Sequence, residues 1–225
     1  MKFTRYINES IQPEHRSTPN ILADIHKKEV CKGFIETIKK DCTIFLEDTK
    51  DCKSWLVRWT SKPIMGLQKF VPRADRKPTD TPQWLHDYMD KLFYKKFGWK
   101  ARSEGVFAIT VKGTVQNFEL HNPIFPIGKY KYIWSPDVTD LYMTLENKAV
   151  DFGIDWRIIK KFPVENKRFK QELDKLVLSY KDNDIEEYFD YSGRGSLGRE
   201  IMIQCQSYYL LEPSLAEDVL PRLYE

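Results

Sequence analysis

Residues 192–211, SGRGSLGREIMIQCQSYYLL, join a glycine-rich loop to a long apolar run. The run from Glu200 to Leu211 is rich in β-branched, aromatic and other apolar residues, and this composition predicts a strand. The loop before it is not a Walker motif because it lacks the GK[ST] ending, and a strand pattern rather than a helix follows its glycines. The segment therefore predicts a hydrophobic strand that begins on a carboxylate, Glu200, beneath a glycine-rich loop.

Outward from this segment, strand and helix patterns both occur. Further strands are predicted from aromatic and β-branched content at Ser54–Thr60, Gly105–Lys112 and Tyr130–Trp134. Helices are predicted from apolar periodicity starting at Asn20, starting at Pro82, and over Phe169–Tyr180 and Ile185–Phe189. Asn20 and Thr81 are suitable N-caps for the first two helices, and Gly98 is a suitable end for the second. A proline-rich loop with a basic stretch, Arg73–Lys77, is predicted before Pro82. Together these elements predict an α+β fold.

Composition limits the class of protein. The chain has 225 residues, of which 41% are hydrophobic and 31% charged, and its formal net charge is +3. This content excludes global disorder, and the near-balanced charge excludes a histone-like basic coat. No apolar run approaches the ~20 residues that span a bilayer, so we expect no membrane association. At roughly 100–200 residues per domain, we expect an N-terminal arm and helix over residues 1–50 and one domain over residues 51–225.

Cysteine and histidine patterns do not indicate a metal site. The cysteines are Cys31, Cys42, Cys52 and Cys205. They are not spaced as zinc ligands, so we expect free thiols in a reducing cytosol. The four histidines form no HExxH motif, and His86 is expected on a helix surface beside Asp87. A serine hydrolase would carry a G-x-S-x-G elbow, which this sequence lacks.

An acidic turn offers a weaker alternative. Its carboxylates are Asp182, Asp184, Glu186 and Glu187. They could hold a cation, but they lack the pattern of an EF-hand loop, so a solvated turn is favoured.

Three residues stand out by their settings. Arg58 is a cation in an apolar strand; it either faces solvent or a carboxylate, or it clamps an anionic ligand as guanidinium groups clamp phosphates. Ser103 precedes a strand beside Arg102 and Gly105, where a hydroxyl serves either turn geometry or a ligand. Glu200 either opens its strand exposed to solvent or takes part in chemistry.

A carboxylate under a flexible loop suits glycosidic bond cleavage. Positive charge grows on the ribose carbon as the leaving group departs, and a nearby carboxylate stabilises that oxocarbenium ion. Glu200 is therefore the candidate catalytic carboxylate.

Taken in chain order, the three segments resemble the Arg-Ser-Glu class of ADP-ribosyltransferases. That class carries an Arg on an early strand, a Ser on a second strand and a Glu that leads a late strand. Here these are Arg58 in WLVRWTS, Ser103 in ARSEGVF and Glu200 in GREIMIQCQSYYLL. The resemblance covers about residues 52–211. It implies a mixed, mainly antiparallel two-sheet core, here with an N-terminal helical extension.

The sequence departs from the family pattern in three places. Arg58 is followed by Trp59 where a Tyr-Arg-Gly-like signature is usual, and only Ser103 remains of a Ser-Thr-Ser signature. Gly198 stands two residues before Glu200, where arginine-modifying members carry Glu or Gln. This last departure argues against arginine side chains as the acceptor.

The resemblance implies that NAD is the substrate and that its ADP-ribose passes to a macromolecule, a host protein or a nucleic acid. Glu200 would hydrogen-bond the ribose 2′-hydroxyl and stabilise the oxocarbenium ion. Arg58 would bind a phosphate or the nicotinamide-side ribose. Ser103 would position NAD and orient Glu200.

Further residues complete the implied site. The cofactor-binding set adds Arg102, together with Trp59 and Phe107, which either flank the nicotinamide or are core aromatics. The glycine-rich loop would face the acceptor through Ser192, Arg194 and Ser196. With Arg73 and Arg76, Arg194 offers basic contacts for a nucleic acid or an acidic protein; the alternative is a solvated surface.

The N-terminus carries a second resemblance. MKFTRYINES is similar to the short propeptides of head proteins in large tailed phages, in which a basic and aromatic start leads to an apolar-x-Glu cleavage site. Ile7-Asn8-Glu9 fits that pattern. The resemblance implies cleavage after Glu9, association with phage head proteins, and a location in the virion or the host cytoplasm; the alternative is an ordinary N-terminal arm.

Two other functions compete with the enzyme. A non-catalytic phage virion structural protein would assemble into rings or lattices and present apolar surface patches rather than a polar cleft. A nucleic-acid-binding module would bind with steep salt dependence, which a net charge of +3 disfavours. Convergence of Arg58, Ser103 and Glu200 on one cleft is the geometric expectation that separates the enzyme from both.

Overall fold

The computed structural model describes residues 18–52, 54–74, 76–112, 121–159, 161, 163–192 and 198–225. Their helices are α1 (Thr18–Asp41), α2 (Thr43–Thr49), α3 (Gln83–Phe97), α4 (Ala101–Glu104), α5 (Leu141–Asp151), α6 (Trp156–Ile159), α7 (Lys167–Leu178), α8 (Ile185–Ser192) and α9 (Ala216–Val219). Their strands are β1 (Ser54–Trp59), β2 (Leu67–Phe70), β3 (Val106–Lys112), β4 (His121–Pro126), β5 (Tyr130–Trp134), β6 (Glu200–Cys205) and β7 (Tyr208–Leu211). Short 3-10 turns precede and follow α9.

The strands of the described residues form one seven-stranded sheet in the order β2-β7-β4-β1-β3-β6-β5. Each pairing between neighbours is antiparallel. β1 is central, with Val57 aligned to Ile109 of β3 on one side and to Pro123 of β4 on the other. The α+β class and the mainly antiparallel character predicted from the sequence are confirmed.

This sheet is curled rather than flat. The β6–β7 connection is residues 206–207, yet β6 and β7 stand four positions apart in the strand order. Four inter-strand steps would span about 19 Å in a flat sheet, whereas the three peptide units from Cys205 to Tyr208 reach at most about 11 Å. The short connection 127–129 sets the same condition on β4 and β5. The β5–β6 side and the β2–β7 side of the sheet must therefore approach each other.

The curl is built on a bent two-stranded ribbon. One arm of the ribbon is β4, residues 127–129 and β5. The other arm is β6, residues 206–207 and β7, so β5 pairs with β6 and β4 pairs with β7. Pro126 pairs with Tyr208 and Tyr130 pairs with Cys205, so the register shifts by one residue at the bend, as in a β-bulge. Gly128, with φ of 66°, supplies the left-handed backbone conformation there.

Two hydrophobic clusters lie on opposite faces of the sheet. Along β6, Ile201 and Ile203 join the cluster that contains α1, α2 and α8, while Met202 between them joins the cluster that contains α3, α5 and α7. Helix α1 contributes Ile35 and Ile38 to the first cluster. The helical segment that precedes β1 therefore shares a core with the sheet.

Several element boundaries differ from expectation. The single strand predicted over Glu200–Leu211 is wrong, since the ribbon bends at residues 206–207 and divides it into β6 and β7. The predicted proline-rich loop contains the edge strand β2, which pairs with β7. Asn20 lies inside α1 rather than at its N-cap, and Thr81 does not cap α3. The predicted end of α3 at Gly98 is confirmed; its φ is 78° and its N–H donates to the Tyr94 carbonyl at 2.9 Å.

Within the described ranges, no helix combines the length and apolar character needed to cross a membrane. The four cysteines are unpaired thiols.

Candidate functional site

A cleft of about 520 Å³ opens where the two sides of the curled sheet meet. β1 contributes Arg58 and Trp59, β3 contributes residues 107–109, and β6 contributes Glu200. The opposite side contributes Phe70, Tyr208 and Leu210 from β2 and β7. The volume lies in the range of small-molecule and cofactor sites.

A second cavity of about 180 Å³ adjoins the cleft. The two share Arg76, Phe107 and Glu200 in their walls. The guanidinium carbon of Arg76 lies 4.2 Å from the centroid of the Phe107 ring, a cation–π contact. This stacked pair therefore lies at the junction of the two cavities.

Glu200 is positioned by the start of β6. It pairs with Ile109 of β3, and its N–H donates to the Thr139 carbonyl at 2.9 Å, which ties the strand to the N-terminal end of α5. Its side chain is only partly exposed, and its Oε1 is buried with no hydrogen-bond partner among the described residues. A buried carboxyl oxygen without a donor is costly, and a ligand hydroxyl would remove that cost.

Electrostatics around Glu200 favour its protonated form. Burial raises the pKa of Glu200 to about 7, and the Asp140 carboxylate adds to the rise. The Arg102 and Arg76 guanidinium groups and the Leu141 N–H oppose it. At neutral pH the carboxyl is therefore divided between its charged and neutral forms, which suits acid–base chemistry.

Two arginines face the larger cleft. Arg58 Nη1 donates to the Phe107 carbonyl at 2.9 Å, which fixes the guanidinium at the cleft wall. Arg76 Nη1 is buried and has no partner among the described residues. Burial, together with the Arg58 and Arg102 charges, lowers the Arg76 pKa to about 10, so Arg76 is still charged at neutral pH. Both groups are suited to phosphate oxygens.

Ser103 does not line the cleft. It lies in the short helix α4, where its hydroxyl donates to Asp90 Oδ2 and lies 3.0 Å from His86 Nε2. The expected convergence therefore holds for Arg58 and Glu200 but not for Ser103. The reason is local: residues 101–104 form a helical turn against α3 instead of the extended lead-in expected before β3.

The hydrogen bonds of His86 fix its tautomer. Arg102 Nε donates to His86 Nδ1 at 3.2 Å, and because an arginine cannot accept, the ring proton must lie on Nε2. Nε2 then donates to Ser103, which donates in turn to Asp90. Burial and the Arg102 charge lower the His86 pKa, so the ring is neutral. In a serine-hydrolase triad the histidine would instead accept from the serine, so Ser103 is not an activated nucleophile.

Arg102 is the part of this network that reaches the site. Its side chain is 7% exposed, donates from Nη2 to Thr81 Oγ1 at 2.9 Å, and lines the smaller cavity with Glu200. Its backbone N–H donates to Asp90 Oδ1 at 2.8 Å. The Tyr180 hydroxyl is buried without a partner among the described residues, and its pKa is raised chiefly by burial and also by the Glu200 charge. Arg102 and Tyr180 therefore belong to a buried polar cluster next to Glu200.

Aromatic rings line the cleft. Trp59 is 60% exposed, an unusual state for an indole. Phe70 stacks on Tyr208 with ring centroids 5.7 Å apart. Phe107 is covered on one side by Arg76, so Trp59 is the more accessible of the two aromatics expected beside a nicotinamide.

The remaining predicted residues have mixed placements. Ser192 is the last residue of α8, while Arg194 and Ser196 lie outside the described residues, as does Glu9. His86 is 2% exposed, so its predicted surface position is wrong. In the acidic turn, Glu187 pairs with Lys181 at 2.7 Å.

Several residues of the cleft are not predicted as site residues from the sequence. Arg76 was considered only as a basic contact, although it stands in the cleft wall. Phe70, His121 and Tyr208 also line the cleft, and no spacing in the sequence marks them as site residues. The basic stretch 73–77 is the sequence signal for Arg76, because it places several cations together in a proline-rich loop.

No protein-family model matches the chain, and neither a curated protein nor a solved structure is detectably similar to it.

Proposed function

We propose that this protein is an NAD-dependent ADP-ribosyltransferase, which cleaves the nicotinamide–ribose bond of NAD and transfers ADP-ribose to a macromolecule. The observation that carries the proposal is the meeting of Arg58 and Glu200 in one cleft. The two residues are distant in sequence, and both are residues that the family resemblance singles out. The cleft that holds them has cationic, aromatic and carboxylate components suited to a dinucleotide.

The chemistry follows from Glu200. As the C1′–N bond of NAD breaks, its electron pair leaves with nicotinamide and positive charge develops on the ribose. The ionised Glu200 carboxylate stabilises that charge and accepts a hydrogen bond from the 2′-hydroxyl through Oε1, which has no donor among the described residues. The acceptor nucleophile then bonds to C1′ and releases its proton to the carboxylate or to solvent.

The arginines supply the phosphate contacts of the proposal. Arg58 is held by the Phe107 carbonyl, and Arg76 is held over the Phe107 ring with Nη1 unpaired among the described residues. A pyrophosphate between them would accept a hydrogen bond from Arg76 Nη1, which is buried and has no partner among the described residues.

The curl of the sheet supports the two-sheet core that the resemblance implies. In β4, residues 121–123 pair with β1 and residues 124–126 pair with β7. β4 is thus shared by two groups of strands, and the cleft lies where these groups meet. We take the groups β1-β3-β6-β5 and β4-β7-β2 as the two sheets.

Ser103 has a different role in this proposal from the one the resemblance implies. It acts at a distance, by holding neutral His86 against Arg102. Arg102 then presents its charge to the cavity that contains Glu200. Cleavage after Glu9 and packaging in a phage head stay predictions that rest on the N-terminal resemblance.

Release of nicotinamide from NAD by the purified protein tests the proposal. We expect turnover in the wild type, and a loss of about 10²–10³-fold or more in kcat for Glu200→Gln. Arg58→Ala should chiefly raise KM, because it removes a phosphate contact. Glu217→Gln and Arg222→Ala, exposed residues near the C-terminus, are the matched controls and should leave both parameters unchanged.

The proposal fails if the folded wild type releases no nicotinamide and shows no NAD-dependent rise in melting temperature. Ring or lattice assembly by such an inactive protein would favour the alternative, a virion structural protein. Equal loss of activity in the control variants would mean that the effect is not specific to the cleft.

A further inference from the structure

We infer that the acceptor brought to this cleft is a single-stranded nucleic acid. The transfer step of this inference rests on the proposed function, while the binding step does not.

The charge of the chain is concentrated beside the cleft. Residues 58–79 contain six Lys or Arg and one Asp, whereas the whole chain has a net charge of +3. The rest of the chain is therefore net negative. A local basic region on an otherwise acidic protein attracts a polyanion to one place.

Two exposed lysines of this region border the cleft. Lys62 follows Ser61 and Lys77 follows Arg76, and Ser61 and Arg76 both line the cleft. Because consecutive Cα atoms are only about 3.8 Å apart, both ammonium groups can reach the cleft margin. Phosphates of a strand that crosses that margin can therefore pair with these ammonium groups.

Trp59 favours a nucleic acid over an acidic protein. Its ring is at the end of β1, lines the cleft and is 60% exposed. A base stacked on such a ring gains stability whatever its identity, which is how proteins bind single strands without sequence preference. Lysines alone would serve an acidic protein equally well.

The depth of Glu200 favours a single strand over a duplex. Its Oε1 is buried in the cleft, so an acceptor atom must enter the cleft to react. A base inside a duplex has to leave its stack before it can enter such a site, whereas an unpaired base needs no unpairing.

Binding is tested without NAD, using a fluorescent oligonucleotide of about 20 nucleotides, single-stranded and duplex. We expect the single strand to bind more tightly and log K to fall as log salt rises. Trp59→Ala should weaken binding about tenfold, and Lys62→Gln and Lys77→Gln should each reduce the salt slope by about 0.7. Tyr94→Ala and Lys95→Gln on α3 are matched exposed controls outside the cleft lining. If the Trp59 and lysine variants bound the single strand with the affinity and salt slope of the wild type, the inference would be overturned.

Transfer is tested by adding NAD labelled in its adenylate phosphate. Label on the oligonucleotide supports the inference. Nicotinamide release with label on a host protein and none on the oligonucleotide overturns it and leaves the proposed function intact. Oligonucleotide binding that depends on Trp59, with no nicotinamide release, overturns the proposed function and leaves the binding step intact.

Discussion

At the scale of single residues, the environment of Glu200 opposes its ionisation. Its Oε1 is buried with no hydrogen-bond donor among the described residues, so ionisation is costly in the absence of a ligand. Arg102 and Arg76 reduce that cost but do not cancel it, since the Glu200 pKa is still raised to about 7. Catalytic carboxyls with raised pKa values are commonly held in this way, by burial balanced against nearby charge.

This arrangement predicts a pH-dependent effect of Glu200→Gln on stability. The folded pKa lies above the ordinary value of an unfolded glutamate. The wild type therefore loses stability as pH rises through about 4.5 to 7, because the unfolded chain ionises in that range while folded Glu200 keeps its proton. The glutamine variant does not titrate. The melting temperature of Glu200→Gln minus that of the wild type should therefore increase between pH 5 and pH 8. Over this range the corresponding difference in free energy of unfolding approaches about 3 kcal/mol.

Glu217→Gln provides the comparison, because it makes the same substitution at a carboxyl that is exposed to solvent. A difference between Glu200→Gln and wild type that is constant with pH would mean that Glu200 is not a buried titrating group.

The network around Ser103 shows how residue identity can mislead. The hydroxyl lies near a histidine and a carboxylate, but the proton positions fixed by Arg102 make it a link between them rather than a nucleophile. His86 and Asp90 are four residues apart on α3, on the same face as the buried Met89 and Leu85. Both side chains are therefore part of the buried face of α3, and not of the solvent-exposed surface on which the sequence places His86.

At the scale of elements, predictability depends on how much of the signal is local. β1, β3 and β5 were predicted because their aromatic and β-branched residues are contiguous. β4, HNPIFP, contains two prolines, which normally argue against an interior strand. It is accommodated because each side of β4 carries a ladder over only half its length.

Residues of the candidate site also differ in how local their sequence signal is. Arg58 and Glu200 were found because each is a charge at an apolar strand, a pattern visible in a short window. Tyr208, by contrast, enters the cleft through the curl of the sheet. That curl depends on pairing between distant strands and leaves no local pattern.

Gly198 determines how the glycine-rich segment meets the sheet. A methyl group at its Cα would overlap the backbone N and O and the Oγ1 of Thr110 in β3. We therefore expect Gly198→Ala to destabilise the protein by roughly 1–3 kcal/mol and to lower any NAD turnover by displacing Glu200, two residues later. Thermal unfolding and nicotinamide release are the measurements.

Gly33→Ala on α1 is the matched control, because a methyl group there meets nothing within 4 Å. It should be neutral or stabilising by up to about 1 kcal/mol, since alanine is the better helix former. Equal melting temperatures for the two variants would show that Gly198 does not pack closely on β3.

At the scale of the whole molecule, the curled sheet and the charge distribution act on the same place. The short connections 127–129 and 206–207 bring β7 and β2 toward β1 and β6, which encloses the cleft. The basic segment 58–79 connects β1 to α3 and so passes along that cleft. A near-neutral chain can thus present a cationic site to a polyanion without being basic overall.

The shared sheet also predicts that the molecule unfolds as one unit. Ile38 in α1 and Phe169 in α7 are both fully buried, but they belong to the clusters on opposite faces. Because the same strands contribute residues to both clusters, neither face can lose its packing without disturbing the other. Ile38→Ala and Phe169→Ala should each cost roughly 2–5 kcal/mol and lower the midpoint of a single denaturant transition with the same slope as wild type. Circular dichroism and tryptophan fluorescence should report coincident transitions for both variants; separate transitions for Ile38→Ala would mean that α1 forms an independent unit.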